Sequence, residues 1–220
     1  MMCHRRLHLT LGAVIVALVA SSPAAARQSQ SGGGAVVTPA GGHVAALWHE
    51  TLLELPAAVN PLFGSGADPC VRFGPGGKLL SAISFGEVSC TAELGTVLTT
   101  GWSHFCSSFE VGTEFFAVGR QEQRACARAA STETGVSVTV DGHTVDIFKP
   151  QFTAFSPQTT VQLPADNVFG VPGQTATVTA YGWRANVRNL PVGRHLITTT
   201  VVVDGDMYPF HHVIDITPLD

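Results

Sequence analysis

Imidazole and thiolate are the side chains of this chain best suited to chemistry, because both ligate transition metals and both serve as nucleophile or base. The thiols are Cys70, Cys90, Cys106 and Cys126, with Cys3 near the start. The histidines beyond residue 26 are His43, His49, His104, His143, His195, His211 and His212. The N-terminus decides what the thiols do. Arg5 and Arg6 precede an apolar run from Leu9 to Ala20, and Ala24-Ala25-Ala26 supplies small side chains for cleavage. This is the make-up of an export leader, residues 1–26. Outside the cytoplasm thiols oxidise, so the four later cysteines are expected as two disulfides and not as ligands or nucleophiles. A His104-x-Cys106 metal site would require a free thiolate in that compartment.

The histidines then hold the remaining metal chemistry. His195 and His212 are the weak candidates for copper or zinc, as a pair on one strand face. Neither HxH nor HExxH spacing occurs, and a histidine on an apolar strand face is usually neutral and hydrogen-bonded, so no metal and no cofactor is expected. Trp102, Tyr181 and Trp183, with Tyr208, are candidate ligand-binding rings. Tyr181 and Trp183 must share one face of their strand; a solvated face suits glycan stacking, an inward one is core. The carboxylates are scattered over turns and hairpin ends, without the converging pair that glycoside hydrolysis needs. No GxSxG elbow supports a serine hydrolase. No catalytic residue is therefore assigned.

Length and charge narrow the partners. The leader's apolar run is too short to span a bilayer, and no later segment approaches a membrane span. The Arg5-Arg6 pair fits the general secretory or the twin-arginine route. Removing the leader takes the formal charge from −4 to −6 over about 194 residues, with no basic cluster. That argues against nucleic acid and anionic membrane surfaces. Residues 27–42, beginning with RQSQSGGG, read as a flexible tether, and 43–220 as one domain.

The elements that would position these residues are mostly strands. One amphipathic helix is expected at 44–55, with Val44, Trp48, Leu52 and Leu55 on its stripe, stopped by Pro56. A Gly/Pro-rich loop follows at 64–77, then short strands at 79–84, 87–91 and 96–100, and a short helix at 121–130. Strands at 136–140 and 143–148 flank Asp141-Gly142, a type I′ signal. Further strands are expected at 159–163 and 175–187, then a hairpin of 194–203 and 206–217 about Asp204-Gly205. A two-residue turn there sets Val203 opposite Asp206, Ile197 opposite His212 and His195 opposite Ile214. Val201, Ile197, Tyr208, Phe210 and Ile214 then share the core face with His195 and His212. The fold expected is mainly β: an antiparallel β-sandwich, immunoglobulin-like or jelly-roll, with an N-terminal helix and one short disulfide-stapled helix.

Ser89-Cys90-Thr91, Arg124-Ala125-Cys126, Leu163-Pro164-Ala165-Asp166-Asn167-Val168-Phe169-Gly170 and Pro191-Val192-Gly193-Arg194-His195-Leu196-Ile197 occur in that order. The series resembles a family of uncharacterised secreted bacterial proteins with four cysteines, an LPxxNxFG loop and a late PGxHxI strand. That family carries an apolar FFP segment between its second and third cysteines, where this chain has Leu98-Thr99-Thr100-Gly101-Trp102. The resemblance implies export, two disulfides and a sandwich, and no activity. The cysteine order suggests Cys70 with Cys90 and Cys106 with Cys126, two local loops of equal span, among three possible pairings. The expectation is a secreted non-enzymatic binding or structural module for an extracellular ligand such as a glycan or cell-envelope component. The alternative is a histidine-based metalloprotein, an oxidase being one form of it.

Overall fold

Asp141, Gly142, Asp204 and Gly205 all take positive φ (48°, 87°, 53° and 88°), so both turns have the type I′ geometry that two-residue hairpins favour. The computed structural model describes residues 34–62, 68–83 and 87–219. Its elements run β1 (Val36–Pro39), α1 (Gly41–Leu53), β2 (Cys70–Phe73), β3 (Leu79–Ala82), β4 (Val88–Glu93), β5 (Val97–Ser107) and α2 (Arg120–Ala129). They continue with β6 (Glu133–Val140), β7 (His143–Asp146), β8 (Thr153–Phe155), β9 (Thr159–Leu163), β10 (Gln174–Arg188), β11 (Gly193–Val203) and β12 (Asp206–Thr217). The leader at 1–26, its Arg5-Arg6 pair, residues 27–33 of the tether and the turn at Gly86 lie outside the described residues.

The chain forms a mainly β sandwich of two sheets. One follows the order β1-β10-β5-β3-β2, with β8 and β9 also paired to β10; the other runs β4-β12-β11-β6-β7. Central β10 pairs with β5 along one edge, and on the other β9, β8 and β1 take successive stretches of it. The sandwich is not wholly antiparallel: β3 runs parallel to β5, and β4 parallel to β12. β1 corrects the tether reading of 27–42, because Val36 and Val37 pair with the otherwise open end of β10. Val203↔Asp206, Ile197↔His212 and His195↔Ile214 are paired as the turn requires.

Strand alternation sorts β10 into two faces. Trp183, Ala185 and Val187 point between the sheets, where they pack with Leu80, Leu98, Val138, Ile197 and Ile214. Ala176 and Val178 point outward and form a second cluster with Leu53 of α1, Phe109 and Val161. The Cys70–Cys90 bridge ties β2 of one sheet to β4 of the other, and Cys106–Cys126 fastens α2 to β5. Such bridges suit an oxidising environment. Among the described residues no helix is long and apolar enough to cross a membrane.

The paired strands β5 and β10 approach closely at a glycine in β5. Gly101 has φ 130°, and a Cβ built there would stand 2.2 Å from the Trp183 carbonyl oxygen. No side chain fits without moving β10. Gly101→Ala is expected to destabilise the domain by about 2 kcal/mol, through backbone strain and overpacking. Chemical denaturation measures it, and an unchanged midpoint would show that the two strands separate freely.

Candidate ligand pocket

β5 is hydrogen-bonded to β10 from Leu98 to Ser107, but to β3 only at Val97 and Leu98. Beyond that point β3 turns away, and a partly open pocket of about 230 Å³ occupies the gap at the free edge of β5. α1 contributes Trp48, His49, Leu52 and Leu53 to its wall. Phe105 and Arg184 face it from the helix-covered side of the sheet, with Ser103 beside them. Thr100, Trp102, Thr199, Phe210 and His212 line it between the sheets. Thr100 and Thr199 hydrogen-bond each other across the sandwich at 2.5 Å, so these hydroxyls are mutually satisfied. The rest of the wall is mainly aromatic and aliphatic.

Arg184 is the exception in this lining. Its neighbour Trp183 points into the core, so alternation sends Arg184 to the opposite face, beneath α1, where it is 2% exposed. Its Cζ lies 4.4 Å from the Trp48 ring centroid, and Nη1 donates to Ser103 Oγ at 3.4 Å. Nε has no hydrogen-bond partner. Burial pulls the guanidinium down to about 9, which leaves it charged at neutral pH. Among the described residues no carboxylate pairs with it.

Two histidines stand on the pocket wall. His49 shares an Nδ1 hydrogen with the Ala45 carbonyl at 2.8 Å. Burial lowers it to about 3, helped by the charges of Arg184 and His104 against that bond. His212 is lowered to about 4 by burial and by His211, and its Nε2 has no partner. Both rings are neutral near pH 7. Deeper along β5, Glu133 Oε1 accepts from Trp102 Nε1 at 2.6 Å and lies 2.5 Å from His104 Nε2. Burial would raise that carboxyl, but the bonds from His104, its own backbone N–H and Trp102 together hold it below the usual range. Glu133 thereby fixes the Trp102 ring at the pocket wall.

The sequence candidates separate. Trp102 reaches the pocket, half-buried and stacked on Phe210 at 5.5 Å. Trp183 is 8% exposed and packs on Phe148 at 4.4 Å, and Tyr181 lies against it at 5.6 Å. Their shared face is inward, which removes the solvated glycan platform and leaves core. Tyr208, expected on the core face, is 49% exposed, because residues 204–209 at the hairpin tip extend beyond any covering strand.

His195 and His212 share a sheet face but not a centre. Both His195 nitrogens are engaged, Nδ1 with Asp141 at 2.7 Å and Nε2 with the Pro191 carbonyl at 2.8 Å. Both partners are acceptor oxygens, so each ring nitrogen is turned to an acceptor and away from any position a metal could take. Among the described residues no three His, Cys, Asp or Glu groups converge as a ligand set. The cysteines form the pairs the sequence order suggests.

No family model matches this chain, and no curated protein does. The solution structure of amebosin aligns with 60% of this chain and 97% of its own, at 9% identity and a TM-score of 0.20, too distant to carry an argument.

Phe105 and Arg184 were not singled out by sequence, His49 stood only in the list of histidines, and Phe169 stood only in the LPxxNxFG loop. For Arg184 a signal existed: a cation directly after a tryptophan in a strand must face away from it. For His49 there was none, since the helical stripe through Val44 and Trp48 lies beside the residues that are buried, Ala45, Ala46, His49, Leu52 and Leu53.

Proposed function

We propose that this chain is a secreted, non-enzymatic binding module that takes a small, largely apolar molecule into the pocket beside β5. The observation that carries this reading is the pocket itself: about 230 Å³ of partly open space, walled by Leu52, Phe105, Phe169, Trp102 and Phe210. Protein interiors are close-packed, and a void of about 150 Å³ already holds benzene, so this space suits a ligand of roughly ten non-hydrogen atoms. The apolar wall favours such a molecule over a glycan, whose hydroxyls would need polar partners there. Export is supported by the leader composition of residues 1–26 and by the two disulfides.

Two of the three tryptophans, Trp48 and Trp102, line the pocket, so their fluorescence reports occupancy. Titration of the oxidised mature protein with 1-octanol or 3-phenylpropanol is expected to shift that emission saturably. Leu62→Trp places a larger side chain on a half-buried wall position and is expected to weaken binding about tenfold, read by calorimetry. No saturable heat or emission change with either alcohol, or with the acids named below, removes the binding reading.

A further inference from the structure

We infer that the occupant is a carboxylic acid with an apolar body, its carboxylate seated on Arg184 and Ser103 and its body against Leu52, Phe105 and Phe169. This inference rests on the binding reading above and adds the chemical class of the ligand.

A guanidinium has five N–H donors in a rigid fork that matches a carboxylate, and it is rarely buried alone. Here the residue is 2% exposed and, among the described residues, donates one side-chain hydrogen bond, from Nη1 to Ser103 Oγ. Trp48 covers it through a ring face, which stabilises a cation but accepts no conventional hydrogen bond. His49, the nearest titratable group of α1 on this wall, is neutral and supplies no counter-charge. Glu133, inside the sandwich, bonds Trp102 and His104 through Oε1 and leaves Oε2 unpartnered, and it makes no ion pair with Arg184. A buried charge without a counter-ion is costly, and an arriving carboxylate removes that cost. The apolar wall continues from this point across α1 to Phe169, so the same ligand must also carry a hydrophobic portion. A carboxylate on a chain or ring of about eight to ten non-hydrogen atoms meets both demands.

Octanoate and 1-octanol differ at the head group alone, and calorimetry on the oxidised mature protein at pH 7.5 compares them without any mutation. Octanoate is expected to bind about thirtyfold more tightly, the worth of charge-assisted hydrogen bonds. Arg184→Met is expected to bring the two ligands level, and Arg184→Lys to restore part of the difference, circular dichroism confirming the fold of each. Equal affinity of acid and alcohol for the native protein overturns the inference while leaving the binding reading intact. Binding of acetate as tight as that of octanoate also overturns it, since the pocket would then be an anion site without a hydrophobic part. Binding of neither eight-carbon ligand removes the pocket as a site at all.

Discussion

Acidifying the oxidised mature protein from pH 7.5 to 4.5 is expected to lower its unfolding free energy by on the order of 5 kcal/mol, shared between His49 and His212. The sign follows from where protons bind. Burial depresses both imidazoles in the folded state, to about 3 and about 4 against an ordinary 6.5. Above pH 6.5 neither state is protonated and the fold keeps its full stability. As pH falls below 6.5 the unfolded chain takes up two protons that the folded chain refuses, and stability drains until the folded pKa values are reached. Glu133, held low, adds to the loss at the acid end. Glu110 works against it, because burial raises its carboxyl and protonation relieves that penalty. Urea midpoints at half-unit pH steps measure the effect, and His49→Gln with His212→Gln should flatten the curve between pH 6.5 and 4.5. A wild-type midpoint that does not move across that interval would mean that both rings reach solvent, and with it that the pocket wall is not formed.

The elements that were legible in the sequence are those whose signals are local. The last hairpin was read pair by pair because a two-residue Asp-Gly turn fixes register, and β9 was read to its exact bounds from alternation between turns. β1, β2 and β8 were missed; they are three or four residues long, and each exists because a longer partner offers an open edge. The parallel pairings escaped for the same reason, since β4 meets β12 more than a hundred residues away. The pocket is a product of such long-range choices. It opens where β3 leaves β5 after two residue pairs, and nothing in either strand's own pattern marks that departure. The disulfides, by contrast, followed from compartment and order.

Replacing Arg184 with methionine is expected to make the ligand-free protein more stable, by about 3 kcal/mol or a Tm rise of roughly 8 °C. The depression of the guanidinium to about 9, caused by burial alone, means that the fold pays to keep this cation dry at neutral pH. Methionine keeps an unbranched apolar stem against Trp48 and loses one long hydrogen bond to Ser103 and a cation–π contact. The relief outweighs those losses, as replacement of buried charge by hydrophobic residues often does. Thermal unfolding of wild type and Arg184→Met without ligand decides the matter. A fall in Tm of similar size would make Arg184 a structural tie between β10, β5 and α1, and the pocket would lose the residue that gives it chemical direction. A rise, together with loss of acid binding, shows a charge kept against the interest of the fold. Octanoate should then return to the wild type, and not to the variant, the stability that Arg184 costs it, because only the wild type gains a counter-ion when the ligand arrives.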